Sequence, residues 1–177
     1  GTERALWFAR AVGNKRAVSG ADVRNLVEIK DADSDQLLGS NDGALDFDSA
    51  GGGEVTLVSM APNGETSGLR TGLAMGAAKA ILVSDDSLAG TDALGTAKVL
   101  AAAIKRAEPD LILAATESSD GYTGTTPVQV AEILGLPSVT FAKKVEVTGE
   151  SVKVERQTES GYDEVECPLP ALVTVTA

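Results

Sequence analysis

The sequence predicts an α/β fold, a three-layer sandwich in which a mainly parallel sheet is followed by antiparallel strands near the C-terminus. Two observations carry this prediction. Short apolar strands alternate with helical periodicity from residue 54 to residue 135, the order typical of parallel sheets. After residue 135 helical periodicity gives way to residue-by-residue alternation, which is typical of hairpins. With 177 residues, 43% of them hydrophobic, the chain is expected to form one domain over residues 1–177.

The first half of this pattern contains three strands and two helices. Residues 54–59 and 80–84 are rich in β-branched and aliphatic residues, and a helix is predicted between them over residues 65–75, closed by a glycine at 76. A second helix is predicted over residues 91–107, ended by Pro109. The strand at residues 111–115 is apolar throughout, as expected for a strand covered on both faces.

The second half begins with a helix over residues 127–134, closed by Gly135. Residues 143–147 and 151–157 are predicted to form a hairpin, followed by strands at 163–167 and 171–175.

Residues 1–50 form the irregular part of the predicted domain, before a core over residues 54–177. Residues 6–8 or 25–29 are candidates for a first strand, and residues 31–48 are predicted to be an acidic surface loop. Aspartates at 31, 33 and 35 lack the glycine and glutamate of a calcium loop, so no metal site is expected.

Charge and composition exclude several classes of function. Fifteen basic and 26 acidic residues give a net charge of −11, which argues against nucleic-acid partners and anionic membrane surfaces, and no apolar run suits membrane insertion. The chain has no histidine and a single cysteine, Cys167, which argues against histidine triads, most zinc sites and an internal disulfide. A binding or carrier protein without catalytic residues is therefore expected rather than an enzyme.

The loop between residues 115 and 127 is the main candidate site. It joins a strand to a helix, where ligands gather in parallel sheets, and it concentrates small and hydroxylic residues. Thr126 is predicted to cap the helix and Pro127 to be its first residue. Backbone N–H groups at such a helix start attract phosphate. A capped helix start that binds nothing is an equally open interpretation. Gly121 and Gly124 allow a close approach of the backbone, and Thr123 and Thr125 offer hydroxyls.

A second candidate lies where the first clear strand ends, at the same predicted edge of the sheet. Ser59, Met60 and Ala61 are candidates to line an adenine ring, with Met60 packing against it. A plain strand exit with no ligand is the favoured interpretation when this turn is considered alone.

Eight segments follow one another in order between residues 54 and 177. They are VTLVSMAP (55–62), LRTGLAMGA (69–77), PDLILAA (109–115), SDGYTG (119–124), AEILGLP (131–137), TFAKKV (140–145), VKVER (152–156) and PLPALVTV (168–175). On this ordered set, residues 54–177 resemble the beta subunit of electron transfer flavoproteins. Residues 1–50 do not show the family's opening pattern, and the family continues beyond residue 177 into a long arm.

The resemblance implies a sheet like that of adenine nucleotide hydrolases and a heterodimer with an alpha subunit that holds most of an FAD. The beta subunit would bind AMP, or a second FAD in electron-bifurcating members. Asp120, Gly121 and the threonine-rich segment 123–126 would then hold the nucleotide phosphate, and residues 59–61 would line the adenine. The assembled carrier would take electrons from acyl-CoA or related dehydrogenases, as in fatty acid oxidation, and pass them to a quinone oxidoreductase.

Two other functions remain open at this point. One is a small adenine-nucleotide-binding regulatory protein of the universal-stress type, although Gly124-Thr125 is a slight match to its phosphate motif. The other is a ligand-free subunit that packs against a partner. Acidity and the absence of a transit peptide favour the bacterial cytoplasm, or the mitochondrial matrix for a matured eukaryotic protein.

Overall fold

A computed structural model of the chain describes residues 29–30, 37–38, 55–61, 63–74, 77–117, 123–148 and 150–176. The strands are β1 (Ile29–Lys30), β2 (Leu37–Leu38), β3 (Thr56–Met60), β4 (Lys79–Val83), β5 (Leu111–Ala115), β6 (Ser138–Thr148), β7 (Ser151–Thr158), β8 (Gly161–Pro168) and β9 (Ala171–Val175). The helices are α1 (Ser67–Ala74), α2 (Ala93–Ala107) and α3 (Thr126–Leu134), with a 3₁₀ turn at Asp86–Leu88. The predicted α/β class is confirmed.

Three layers are visible around β3, because its alternate residues face opposite sides. Val58 and Met60 pack with α2 and α3 in one core cluster, together with Leu100 of α2. Leu57, on the other face of β3, packs with Leu69 of α1 in a separate cluster. The parallel pair β3–β4 therefore lies between helices on both sides.

The remaining strands form a five-stranded sheet in the order β5-β9-β6-β7-β8. The pairings β5–β9 and β9–β6 are parallel, whereas β6–β7 and β7–β8 are antiparallel. The last strand thus inserts between two earlier ones and joins the parallel part of the fold to the hairpins.

The core runs through β5 and β9 and divides by residue parity. Ile112 and Leu172 face the helix cluster, whereas Leu113 and Val173 face a second cluster that extends over the hairpin strands to Val152. Residues 111–114 are all buried, which confirms the prediction that this strand is covered on both faces.

Helix boundaries follow capping chemistry. The carboxylate of Asp92 accepts a hydrogen bond from the N–H of Gly95 at 2.7 Å, which starts α2. Glu108 then adopts the left-handed conformation, with φ 47°, and Pro109 prevents continuation. None of the described helices is long and apolar enough to cross a membrane.

Strand β6 differs most from expectation. It was predicted to begin at residue 143, but it begins at Ser138 because its first residues pair in parallel with β9 before a bulge turns the strand into the hairpin. Since the partner strand lies more than 30 residues later in the chain, local periodicity does not reveal this pairing.

Most of the predictions for the N-terminal part lie outside the described residues, namely the strand at residues 6–8 and most of the strand at 25–29. The glycine cap predicted at residue 76, after α1, also lies outside them. Ile29–Lys30 pairs antiparallel with Leu37–Leu38. The predicted acidic loop at 31–48 therefore contains a short strand, since two apolar residues at 37 and 38 interrupt its polar run.

Candidate functional site

The candidate loop leaves β5 at a position fixed by hydrogen bonds. The backbone N–H of Thr116 donates to the carbonyl of Val175 at 3.0 Å, so β5 and β9 end side by side. The structure describes Thr116, Glu117 and residues 123 onward, whereas Asp120 and Gly121 lie outside the described residues. Four of the six predicted phosphate-loop residues are thus placed, in a continuous stretch that leads into α3.

Gly124 lies directly above the start of the loop. A Cβ built on Gly124 would stand 3.6 Å from the carbonyl oxygen of Thr116 and 3.7 Å from the Cβ of Glu117, both ordinary van der Waals contacts. Gly124 is exposed and does not have a left-handed φ, so its backbone conformation is open to other residues. The two ends of the loop therefore lie close together, and no side chain of residue 124 covers the solvent-facing side of the loop.

The start of α3 has donors that its own chain does not cap. The N-cap is Thr125, which makes no side-chain capping hydrogen bond, and no acidic residue lies in the first turn. The N–H groups of Thr126 and Val128 have no intrahelical acceptor in this geometry, and Pro127 has no N–H. The positive end of the helix dipole therefore faces the loop.

The predicted cap residue was wrong by one position. Thr126 was expected to cap and Pro127 to open the helix, but Thr126 is already helical and buried, and Pro127 is the second helical residue. The reason is that the backbone of Thr125 closes the first helical turn by accepting the N–H of Gln129 at 3.0 Å.

Gln129 adds a polar group to this helix start. Its Nε2 donates to the Thr125 hydroxyl at 3.5 Å, which holds the carboxamide beside the N-cap. Its Oε1 is buried and has no hydrogen-bond partner. A buried acceptor without a donor is costly, and a hydroxyl or amine of a bound molecule would satisfy it.

The other described helix starts contrast with α3. Before α1, the Glu65 carboxylate accepts N–H groups of Ser67 at 2.6 Å and Thr66 at 2.8 Å, and these hydrogen bonds lower the pKa of Glu65. After β4, hydrogen bonds from Ser87 lower the pKa of Asp85. With Asp92 on α2, each of these turns is capped by a carboxylate of the chain, and only α3 among the described helices is not.

The predicted adenine-lining residues lie at the end of β3. Ser59, Met60 and Ala61 are all buried, and the Met60 side chain, 2% exposed, belongs to the core cluster under α2. The N–H of Ala61 donates to the Val83 carbonyl at 3.1 Å, and its carbonyl accepts from Gly64 at 2.9 Å. Any adenine contact from this turn would thus come from backbone and small atoms rather than from the methionine side chain.

Two functional candidates were not apparent in the sequence. Gln129 occupies an ordinary helical position, and Thr174 is a single threonine in an apolar strand. The Thr174 hydroxyl lies 3.1 Å from that of Thr116, the first residue of the candidate loop, although 58 positions separate the two in the chain. Only the strand pairing brings them together, so no local signal marks Thr174.

The chain's one thiol and its carboxylates do not form a second site within the described residues. Cys167 is buried, and this burial raises the pKa of its thiol. Glu155, Glu159, Asp163, Glu164 and Glu166 are exposed. No cluster of potential metal ligands occurs among the residues that the structure describes.

The chain is similar to several characterised proteins. The Electron transfer flavoprotein domain model matches residues 42–177, twelve residues earlier than the predicted core begins. Electron transfer flavoprotein subunit beta of Thermoanaerobacterium thermosaccharolyticum is 42% identical over 123 residues, which cover 70% of this chain and 47% of the relative.

Electron transfer flavoprotein subunit beta of Clostridium acetobutylicum is 40% identical over 123 residues, which cover 70% of this chain and 48% of the relative. The Caffeyl-CoA reductase-Etf complex subunit CarD of Acetobacterium woodii is 39% identical over 124 residues, 70% of this chain and 47% of the relative. The chain thus spans about half the length of these relatives. Because the family model covers most of the chain, the chain belongs to the electron transfer flavoprotein family, with similarity to its beta subunits.

Proposed function

We propose that this chain is the nucleotide-binding part of an electron transfer flavoprotein beta subunit, and that it holds the phosphate of AMP at the start of α3. The uncapped N-cap of α3 carries this proposal. Thr125 offers no side-chain cap, and no acidic residue in the first turn repels an anion. A phosphate group would accept the N–H groups left open at Thr126 and Val128.

The surrounding residues fit a nucleotide rather than a bare anion. The exposed Gly124 leaves room for a phosphate above the loop, and the unpartnered Oε1 of Gln129 would accept from a ribose hydroxyl or an adenine amine. Ser59 and Ala61, which are buried at the end of β3, would line the adenine with their backbone and small side chains. Asp120 and Gly121 remain proposed members of the loop.

The redox chemistry would come from a partner. We propose a heterodimer with an alpha subunit that holds most of an FAD, whose isoalloxazine carries electrons when bound. The chain's own residues would bind nucleotide and shape the complex: it has no histidine, and its one cysteine is buried with a raised pKa. This proposal gives the chain a carrier role and no catalytic residue.

The wider role follows the family. We propose that the complex takes electrons from acyl-CoA or related dehydrogenases and passes them to a quinone oxidoreductase, in the bacterial cytoplasm. The relatives named above come from bacteria. A second FAD in place of AMP, as the resemblance implies for electron-bifurcating members, is the alternative occupant of the same site.

Release of nucleotides from the denatured full-length complex tests this proposal. One AMP and one FAD per heterodimer are expected, measured by chromatography and mass spectrometry. Two FAD and no AMP per heterodimer would show that a second flavin, and not AMP, occupies the site of this chain. Absence of any nucleotide beyond the partner's FAD would contradict nucleotide binding by this chain.

A loop variant then tests the location. Gly124→Asp places a carboxylate where the phosphate is expected, and its φ does not require glycine, so the chain should fold. AMP affinity should fall by about tenfold or more through like-charge repulsion in a partly desolvated site. Leu94→Asp adds the same charge at an exposed position in the first turn of α2 and is expected to leave AMP affinity unchanged.

A further inference from the structure

A chain of hydrogen bonds crosses three strands at the edge where the candidate loop begins. The Thr116 hydroxyl donates to the carbonyl oxygen of Val175 at 2.9 Å. The Thr174 hydroxyl lies 3.1 Å from the Thr116 hydroxyl. The backbone N–H of Phe141, in β6, donates to the same Thr174 oxygen at 3.1 Å. One buried threonine on β9 therefore contacts both the loop start and β6.

The direction of each hydrogen bond follows from counting protons. The Thr116 hydroxyl has one proton, and the Val175 carbonyl can only accept, so that proton is committed. The bond between the two hydroxyls must then use the proton of Thr174. Thr174 thus donates to Thr116 and accepts from Phe141, and the residue is only 1% exposed, so both hydrogen bonds are shielded from bulk solvent.

Thr116 in turn lies beside the far end of the loop. Its carbonyl oxygen is 3.6 Å from the position that a Cβ on Gly124 would take, and its backbone N–H is held by Val175. Gly124 directly precedes the N-cap of α3. The hydrogen bonds of Thr174 therefore lead, through Thr116, to the backbone beside the start of α3.

The other end of the chain of hydrogen bonds holds a strained residue. Phe141 has φ 60°, a left-handed conformation that is rare for an aromatic residue. Phe141 is 45% exposed, so burial within this chain does not offset the strain. The N–H bond to Thr174 and the bond from Arg156 Nε to the Thr140 carbonyl, at 3.1 Å, hold this bulge on both sides.

We propose that Thr174 is a positioning residue for nucleotide binding: it touches no ligand but fixes the loop start at Thr116 and the bulge at Phe141 in one arrangement. This rests on the proposed nucleotide site. It predicts that nucleotide affinity depends on a buried hydroxyl of β9, a strand that contributes no residue to the candidate site.

Four variants of the full-length protein test the proposal. Thr174→Val removes the hydroxyl with little change of volume, and Thr174→Ser keeps it. Thr96→Val removes another buried hydroxyl, one with no hydrogen-bond partner. Val152→Ala weakens the second core cluster at the other end of the sheet, where Val152 of β7 pairs with Cys167 of β8. This variant controls for a general loss of stability.

AMP affinity of the nucleotide-stripped protein is measured by calorimetry. Thr174→Val should weaken AMP binding about tenfold, the size expected for leaving buried groups unpaired. Thr174→Ser, Thr96→Val and Val152→Ala should each stay within about twofold of the unchanged protein. Equal affinity in Thr174→Val and the unchanged protein, or equal losses in Thr174→Val and Val152→Ala, would overturn the proposal.

Amide hydrogen exchange gives a readout that needs no nucleotide. In Thr174→Val the amides of Phe141, Glu117 and Gly124 should exchange faster than in Val152→Ala. Unchanged exchange at Glu117 and Gly124 would overturn the positioning role even if the protein binds AMP. If the unchanged protein binds no AMP, the proposed function fails, while faster exchange at these amides still supports the structural link.

Discussion

The carboxamide of Gln129 stands at the first turn of α3 with only its nitrogen partnered. Replacing Gln129 by Met keeps the length of the side chain and removes the orphaned oxygen. The ligand-free protein should gain about 1 kcal/mol in free energy of unfolding, whereas AMP affinity should fall about fivefold, because the ligand loses its acceptor. Urea unfolding of the stripped protein and AMP titration measure the two changes.

This prediction is specific because the free energy of unfolding should rise while AMP affinity falls. Ile133→Met, one turn further along α3 at an exposed position, should change neither quantity appreciably. A Gln129→Met protein that gains stability but binds AMP normally would show that the ligand does not use this oxygen.

Glu117 places a negative charge beside the proposed phosphate. Its Oε2 lies 4.0 Å from the Cβ position of Gly124. Glu117→Gln should raise AMP affinity by about two- to fivefold at low ionic strength, because an exposed charge pair is worth at most about 1 kcal/mol. The gain should shrink as salt is added. Glu164→Gln, exposed on β8, is the matched control and should leave affinity unchanged.

Residue type predicted part of this site and strand pairing supplied the rest. Gly124 and Thr125 were candidates because small and hydroxylic residues precede a helix start, and both lie in the described loop. Thr174 and Gln129 were not, since their importance arises from hydrogen-bond partners and burial that only the folded chain defines.

At the scale of elements, the start of α1 depends on one carboxylate. The hydrogen bonds from Ser67, and then from Thr66, lower the pKa of Glu65 in the folded chain. A lowered pKa means that this contribution is complete above the unfolded pKa and is lost as pH falls through the folded one. The first turn of α1 should therefore loosen only as pH falls below the ordinary pKa of a glutamate and through the lowered folded pKa.

Amide chemical shifts of Thr66 and Ser67 measured through an acid titration test this. In Glu65→Gln the two amides should lose their titration, while the amide of Ser87, which bonds the separately titrating Asp85, keeps its own. Titration of Thr66 and Ser67 that persists in Glu65→Gln would show that another group controls the helix start.

The bulge in β6 stores backbone strain at Phe141. Asn accepts the left-handed conformation more readily than other non-glycine residues, whereas a β-branched residue resists it. Phe141→Asn should therefore be more stable than Phe141→Val by about 1–2 kcal/mol, although both lose the ring. Urea unfolding of the two variants measures the contribution of the backbone conformation at residue 141 to stability. Equal stabilities would contradict the proposal that this position is strained.

Elements with strong local signals matched their predictions closely. β5 and β9 have the predicted bounds, since mainly apolar runs are bordered by Pro109, Pro170 and polar turns. The end of α2 was also correct, because Pro109 stops it. The parallel segment at the start of β6 was missed, because it is specified by contact with β9 and not by its own periodicity.

For the whole molecule, the position of β9 was beyond local pattern. The sequence indicated parallel strands followed by antiparallel ones, but not that the last strand lies between β5 and β6. Through Leu172 and Val173, β9 contributes to both large core clusters. The hairpin strands and the helix layer should therefore unfold together.

Cys167 reports on this cooperativity, because it is the chain's single thiol and belongs to the second cluster with Val173. Its burial raises the thiol pKa, so a thiol-specific reagent at pH 8 should react far more slowly with the folded protein than with the protein in urea.

If the opening that exposes Cys167 is global, AMP at about 100 times its Kd should slow labelling about 100-fold, since the ligand stabilises only the native state. Fraying of the edge strand β8 alone would leave the labelling rate independent of AMP. The second cluster continues past Cys167 to Leu169, whose N–H donates to the Glu150 carbonyl at 2.8 Å, so exposing the thiol must also break contacts beyond the end of β8. We therefore expect labelling to slow by a factor of one plus the ratio of the AMP concentration to its Kd, which would show that the nucleotide site and the hairpin strands form one cooperative unit.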